Sequence, residues 1–97
     1  MKGKVLTIDQ IREHVHDIAP KYGVVHVSLF GSYATGNQTV KSDVDLLVDF
    51  KEAISYFTLF DFEHELKSKI GKSVEVVPLP IPADSFLEIG KEVKLYG

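Results

Sequence analysis

The 97-residue chain contains no cysteine and no long apolar run. The lack of cysteine excludes a disulfide framework, thiolate zinc sites and cysteine nucleophiles, and it agrees with a reducing compartment. A membrane-spanning helix needs about 18 consecutive apolar residues, and no stretch of the sequence supplies them. The start of the chain, Met1 to Leu6, is too short and polar for a signal peptide. We therefore expect a soluble, cytoplasmic protein without membrane contact.

The chain is also poor in positive charge, with 11 Lys and Arg against 14 Asp and Glu and a formal net charge of -3. This balance lacks the basic footprint of a protein whose main task is to bind nucleic acid directly. Apolar residues make up 44% of the sequence, which suits a globular domain. Because no linker, repeat or low-complexity tract divides the chain, we predict a single domain over residues 1–97.

Three segments have the apolar spacing of helices. The first follows a capping box made by Thr7 and Gln10, ends before Pro20, and carries the stripe Ile8, Ile11, Val15 and Ile18. The second ends at Gly71 and carries an aromatic stripe that we predict to lie in the core: Ile54, Phe57, Leu59, Phe60, Phe62, Leu66 and Ile70. The third is predicted over Ala83 to Tyr96, with one side formed by Phe86, Ile89, Val93 and Tyr96.

Three further segments are predicted to be strands, namely Val24 to Phe30, Asp43 to Phe50 and Ser73 to Val77. The second of them alternates. One of its faces is fully apolar, with Val44, Leu46, Val48 and Phe50, and the other carries Asp43, Asp45, Leu47 and Asp49. The third strand is short and is bounded by prolines.

A glycine-serine turn, Gly31-Ser32, follows the first strand. Gly31 and Gly36 have the spacing of a Walker A loop, but Asn37 and Gln38 stand where that loop needs lysine and a hydroxyl residue. What remains is a glycine that lets the backbone approach a ligand, the Ser32 hydroxyl, and amides of a short helical turn, all suited to phosphate oxygens. The alternative is an ordinary strand-to-helix turn.

The strongest functional signal is the pair Asp43 and Asp45 at the head of the second strand. In a strand, residues two apart project from the same face with α-carbons about 6.5 to 7 Å apart, so both carboxylates can bind one divalent ion. An EF-hand is excluded, because Leu47 and Val48 stand where a ligand and a glycine are required. A cation would relieve the repulsion between two anions held beside apolar neighbours. The alternative is an exposed pair at a strand end.

Glu75 is the one charged residue of the predicted third strand and lies between two valines. If this strand lies beside the Asp43 strand, Glu75 completes a cluster of three carboxylates. The alternative is a glutamate that only faces solvent.

Two motifs together resemble a known family. Leu29-Phe30-Gly31-Ser32-Tyr33-Ala34-Thr35-Gly36, followed by Ser42-Asp43-Val44-Asp45-Leu46-Leu47-Val48, is similar to the signature of the minimal nucleotidyltransferases of the polymerase-beta-like superfamily. The resemblance implies an α+β fold, with a small mixed β-sheet backed by helices that holds two Mg²⁺ ions and ATP. It implies that Gly31 and Ser32 contact the phosphates and that Asp43 and Asp45 hold the metals. The third family carboxylate, usually an aspartate, falls on Glu75, as a metal ligand or as the base for the attacking hydroxyl.

The same resemblance implies transfer of AMP from ATP to a hydroxyl, with pyrophosphate released. Relatives in this family act as antitoxins that attach AMP to a tyrosine of a HEPN-domain ribonuclease toxin, and a chain this small has little surface for another large substrate. The expected partner is therefore a HEPN toxin. Two alternatives remain open at this point: an antitoxin that occludes its partner without catalysis, and a nucleotidyltransferase that modifies a small molecule.

Overall fold

The computed structural model describes residues 5–80 and 90–97. The described residues form three α-helices, one 3₁₀ turn and four strands, in the order α1 (Ile8–Ile18), the 3₁₀ turn (Ala19–Tyr22), β1 (Val24–Phe30), α2 (Ser32–Thr35), β2 (Val44–Phe50), α3 (Tyr56–Ile70), β3 (Val74–Pro78) and β4 (Val93–Tyr96). The predicted elements up to β3 are confirmed in type and order. None of the described helices has both the length and the hydrophobicity to cross a membrane.

The four strands form one mixed sheet in the order β3-β2-β1-β4. Strand β1 runs antiparallel to both β2 and β4, whereas β2 and β3 are parallel. Parallel neighbours need a crossover connection, and α3 provides it between β2 and β3. The fold is therefore α+β with a small mixed sheet backed by helices, as the sequence resemblance implied.

The core lies between the helices and one face of the sheet. Alternate residues of each strand point into the core. On β2, Asp45, Leu47 and Asp49 therefore project from the opposite face of the sheet. Among the described residues, no polar or charged side chain is buried. The core is contributed by both long helices and all four strands, and its members include Ile11, Val15, Ile18, Val27, Leu29, Val44, Leu46, Val48, Phe62, Leu66, Ile70, Val74, Val76 and Leu95.

Helix α1 begins at the predicted capping box. The Thr7 hydroxyl accepts a hydrogen bond from the Gln10 amide at 3.0 Å, and the Gln10 side chain accepts one from the Thr7 amide at 2.9 Å. Both partners satisfy amides that the first helical turn leaves without an internal acceptor.

The prediction of a final helix over residues 83–96 is wrong for its last four residues. Residues 81–89 lie outside the described part of the chain, but Val93–Tyr96 is strand β4 and pairs with β1, Leu29 opposite Val93. Arg12 donates to the Lys94 carbonyl at 3.2 Å, and His16 lies 2.9 Å from the Leu95 carbonyl. Strand pairing prevails because it satisfies backbone groups of β1 that an edge would expose.

The prediction that the whole aromatic stripe of α3 lies in the core is wrong in part. Phe62, Leu66 and Ile70 are fully buried, whereas the Phe57 and Phe60 side chains are 85% and 65% exposed. Each helical residue advances about 100°, so Phe60 and Phe62 differ by about 200° around the axis. The two phenylalanines therefore point away from the core.

The assignment of β4 predicts that Leu95 behaves as a core residue. Leu95→Ala should lower the free energy of unfolding by about 2 to 4 kcal/mol, because it removes a buried side chain and leaves a cavity. The exposed neighbour Lys94 is the control, and Lys94→Ala should change the stability by less than about 0.5 kcal/mol. Urea unfolding of the three proteins measures both effects. Equal, small losses would contradict the burial of β4.

Candidate active site

Asp45 lies on the open face of the sheet, opposite the helices. It is the second residue of β2, and its register partners are Phe30 on β1 and Glu75 on β3. Asp43 comes directly before the strand and is exposed. The start of β2 therefore presents both aspartates of the predicted pair, with Asp45 partly covered by the adjoining strands.

Glu75 lies beside Asp45 on the neighbouring parallel strand. Adjacent strands are about 4.8 Å apart, and register partners share a face. The glutamate is exposed, so it faces away from the core and also joins the carboxylate cluster. Sequence reasoning had treated these two properties as alternatives, and the structure combines them.

The pKa of Asp45 reports on how closely the three carboxylates are grouped. The pKa of Asp45 is raised to about 6. Burial is the largest cause, followed by repulsion from Glu75 and from Asp43 and by a hydrogen bond with Glu75. Negative charge at Asp45 is therefore unfavourable in the absence of a cation. A divalent ion would offset both the burial and the repulsion.

The donor set suits Mg²⁺, which prefers oxygen ligands and usually binds through one or two carboxylates together with substrate phosphates. Within residues 5–80 and 90–97, no group of three or more His, Cys, Asp or Glu side chains is placed so that together they could hold a metal ion. Mg²⁺ does not require such a protein cage. A pair of carboxylates such as Asp43 and Asp45 suits a site in which nucleotide phosphates and waters supply the remaining ligands.

Gly31 touches the Asp45 carboxylate. Its φ of +76° lies in the left-handed region, and a Cβ built on it would overlap Oδ2 of Asp45 and lie 3.2 Å from Cγ. Glycine is needed here both for the backbone conformation and for the close approach. The glycine-serine turn and the acidic strand are thereby brought into direct contact.

Helix α2 is a single turn that begins after Gly31 and ends at Gly36, whose φ is +83°. The amides of Ala34 and Thr35 donate to the Gly31 carbonyl at 3.1 and 3.2 Å. The turn therefore leaves the Ser32 and Tyr33 amides, with the Ser32 hydroxyl, as its donors for an anion. Tyr33 and Ala34 are buried in the core, which holds the turn in place.

The loop between α2 and β2 contains one side-chain oxygen without a hydrogen-bond partner among the described residues. The Gln38 side-chain oxygen is buried and has no hydrogen-bond partner in the described part of the chain. The loop is held by mutual hydrogen bonds between Thr39 and Ser42, and Lys72 donates to the Val40 carbonyl at 2.9 Å. No sequence pattern predicts the burial of this oxygen, because it depends on how the loop folds.

The fold is that of a polymerase-beta-like nucleotidyltransferase domain. Residues 13–93 match the family model described as Polymerase beta, Nucleotidyltransferase. The chain belongs to this nucleotidyltransferase family, which confirms the sequence resemblance.

Relatives in the family are similar over most of their length. A candidate protein adenylyltransferase of Methanocaldococcus jannaschii is 41% identical over 69 residues, which cover 71% of this chain and 70% of that protein. The protein adenylyltransferase MntA of Thermococcus cleftensis is 34% identical over 77 residues, which cover 75% of this chain and 78% of that protein.

Solved structures share the fold. A chain of a toxin-antitoxin complex crystallised with AMP-PNP superposes with a TM-score of 0.73 at 23% identity, covering 95% of this chain and 74% of that chain. A chain from a complex of tri-AMPylated Shewanella oneidensis HEPN toxin with MNT antitoxin superposes with a TM-score of 0.71 at 16% identity. The match covers 94% of this chain and 73% of that chain. At these identities the likeness shows the fold alone.

The carboxylate cluster predicts a specific pH dependence of stability without metal. Folding raises the pKa of Asp45 to about 6. The carboxyl group of Asp45 therefore adds to the free energy of unfolding below about pH 4, where it is protonated in both states. This contribution is lost as the pH rises through about 6. Asp45→Asn, which removes the repulsion from Asp43 and Glu75, should therefore stabilise the EDTA-treated protein at pH 7. The gain should be about 1 kcal/mol, once the shift is discounted for solvent screening of a partly exposed group.

Urea unfolding at pH 4, 5, 6 and 7 measures this effect. Asp49→Asn is the matched control, since Asp49 lies on the same face of β2 but opposite His26 rather than Glu75. Its ion pair with His26, at 3.6 Å, joins two exposed side chains and therefore contributes little to stability. The control should leave the pH profile close to that of the wild type. A loss of stability in Asp45→Asn at pH 7 would contradict the prediction.

Proposed function

We propose that this chain is a magnesium-dependent protein adenylyltransferase that moves AMP from ATP to a tyrosine hydroxyl of a HEPN ribonuclease toxin, and so acts as its antitoxin. The observation that carries the proposal is the contact between Gly31 and Asp45, which joins a turn suited to phosphates to a cluster of three carboxylates. The names of the relatives and the complexes in which the fold recurs support the choice of acceptor.

The nucleotide is proposed to bind over the glycine-serine turn. The Ser32 and Tyr33 amides and the Ser32 hydroxyl donate to phosphate oxygens, and Gly31 leaves room for them because it has no side chain. The α-phosphate is thereby placed next to the carboxylates at the start of β2.

Asp43 and Asp45 are proposed to hold two Mg²⁺ ions, with Glu75 as a further ligand. When bound, such a pair neutralises charge on the α-phosphate and the leaving group and lowers the pKa of the attacking hydroxyl. The pairing of β2 with β3 fixes the separation of Asp45 and Glu75. These two carboxylates are therefore already in position before a substrate binds.

The transfer itself is a displacement at the α-phosphorus. The tyrosine oxygen forms a bond to that phosphorus, the bond to the pyrophosphate oxygen breaks, and the hydroxyl proton passes to a base. Glu75 is proposed either to accept this proton or to serve only as a metal ligand. The product is AMP attached to the toxin, together with free pyrophosphate.

Modification of this kind would silence a ribonuclease. An AMP group adds a bulky anion, and at an RNA-binding surface it both blocks access and repels the phosphates of the RNA. A transferase with little surface of its own is sufficient, because the toxin supplies the rest of the interface.

Transfer of radiolabel from α-labelled ATP to the protein encoded next to this chain tests the proposal. Wild type with Mg²⁺ should label the partner, and Asp43→Asn/Asp45→Asn should reduce labelling at least about 100-fold, since the ion-binding carboxylates are lost. Asp49→Asn is the control, because it changes the same strand face away from the cluster and should retain labelling.

The same variants separate catalysis from occlusion. If the partner is never labelled, yet the double variant still binds and silences it, the protein neutralises by contact and the transferase proposal fails. If label appears on a small molecule without any partner protein, the proposed acceptor is wrong.

The role of the glutamate forms a second prediction. Glu75→Gln should lower the transfer rate by about 100-fold, because it removes the negative charge needed by a ligand or a base. Glu75→Asp keeps that charge with a shorter side chain and should lose less than about tenfold. Initial rates at saturating ATP measure both. Full activity of Glu75→Gln would exclude an essential role for this carboxylate.

A further inference from the structure

Asp43 differs from the other two carboxylates of the candidate site in how its backbone is held. Asp45 and Glu75 are register partners within the sheet. Asp43 instead precedes β2, at the end of the loop that follows α2, and it is exposed. The position of its carboxylate therefore depends on how this loop is fixed to the rest of the protein.

The second half of the loop forms hydrogen bonds within itself. The Thr39 amide donates to the Ser42 hydroxyl at 2.9 Å, and the Ser42 amide donates to the Thr39 carbonyl at 3.0 Å. The Lys41 amide donates to the Thr39 hydroxyl at 3.2 Å. Such bonds between near neighbours determine the shape of a turn. They do not determine where the turn lies on the protein.

The connection between α3 and β3 holds the loop in place. The ammonium of Lys72 donates to the Val40 carbonyl at 2.9 Å, and the Ser73 carbonyl accepts from the Val44 amide at 3.0 Å. Two successive residues of this connection therefore hold the chain on both sides of Asp43. Among the described residues, the bond from Lys72 is the only side-chain hydrogen bond that reaches the loop from a distant segment.

The same connection leads directly into the strand that carries Glu75. Lys72 precedes Glu75 by three residues, and Glu75 lies level with Asp45. The bond from Lys72 thus joins the backbone that carries Glu75 to the loop that carries Asp43. The place of Asp43 relative to the other two carboxylates therefore depends on this side chain as well as on the sheet.

Lys72 acts on the loop backbone and not on the carboxylates themselves. Within the part of the chain that the structure describes, its ammonium forms no ion pair with Asp or Glu. The residue is half-buried. Hydrogen bonds from charged donors are about twice as strong as those between neutral groups. A half-buried ammonium that donates to a carbonyl is therefore well suited to hold a loop.

We propose that Lys72 is a positioning residue that acts through Asp43. It fixes the loop so that the Asp43 carboxylate and the Asp45 carboxylate reach the same divalent ion. This inference rests on the part of the proposed function that places a Mg²⁺–nucleotide complex at the carboxylates. It does not depend on which acceptor receives the AMP.

Calorimetric binding of α,β-methylene-ATP, an analogue that cannot release pyrophosphate, tests this role in Mg²⁺ and, separately, in EDTA. Lys72→Met keeps a long side chain without the ammonium and should weaken Mg²⁺-dependent binding about tenfold, as loss of a residue that orients a metal ligand does. Lys72→Arg retains a charged donor and should keep most of the affinity. Lys69→Met is the matched control, because it removes the same charge from an exposed position in the last turn of α3. It should bind like the wild type.

A double variant shows whether Lys72 acts through Asp43. Asp43→Asn alone should weaken Mg²⁺-dependent binding, and adding Lys72→Met should weaken it no further, because the two residues serve one interaction. The contrary outcome is an equal loss from Lys72→Met in both backgrounds, or a loss that persists in EDTA. Either result would mean that the ammonium binds the phosphates through its other N–H groups, and it would overturn the proposal.

Amide hydrogen exchange of the metal-free protein provides a measurement without nucleotide. The Ser42 amide should exchange several-fold faster in Lys72→Met than in the wild type, because the loop has lost its contact with the α3–β3 connection. Amides in the middle of β2 should exchange as in the wild type, which verifies that the variant is folded. Unchanged exchange at Ser42 would contradict the proposal.

Failure of this proposal is distinct from failure of the adenylyltransferase proposal. If Lys72→Met binds the Mg²⁺–nucleotide complex like the wild type, Lys72 does not position Asp43, whether or not a partner protein is labelled. If Lys72→Met shows the expected loss but the wild type never labels a partner, the positioning role holds and the transferase proposal fails. Absence of Mg²⁺-dependent binding by the wild type would overturn both.

Discussion

The contact between the Gly31 backbone and the Asp45 carboxylate is the constraint on which the candidate site depends. A left-handed glycine at the end of β1 turns the chain directly over the side chain that β2 presents. The amides of the following turn then lie beside the acidic cluster, so groups suited to phosphates and groups suited to cations share one small volume. Any side chain at Gly31 would push these two halves of the site apart.

The topology of the sheet completes this arrangement. Because α3 crosses over the sheet, β3 runs parallel to β2 and places Glu75 level with Asp45. The negative charges of three neighbouring carboxylates disfavour the folded state at neutral pH, and the raised pKa of Asp45 is the sign of that penalty. The apolar core on the other face of the same strands offsets this penalty, so one side of the sheet provides stability and the other carries the candidate site.

Helix α3 connects these two faces of the sheet. Its inner side chains, Phe62, Leu66 and Ile70, hold the helix on the core and thereby fix the separation of β2 and β3. Its outer aromatic residues take no part in this packing and lie on the opposite side of the molecule from the carboxylates.

Local patterns in the sequence were enough to predict α1 with its capping box, the strands β1 to β3, and the residues of the acidic pair and the glycine-serine turn. These features depend on neighbours a few residues apart, whose spacing is visible in the chain itself. The tertiary structure alone decided that Val93–Tyr96 is a strand, that Phe57 and Phe60 are exposed, and that Glu75 lies beside Asp45. Each of these outcomes depends on which distant segment supplies the pairing or the cover, because neither strand partners nor burial follow from local spacing.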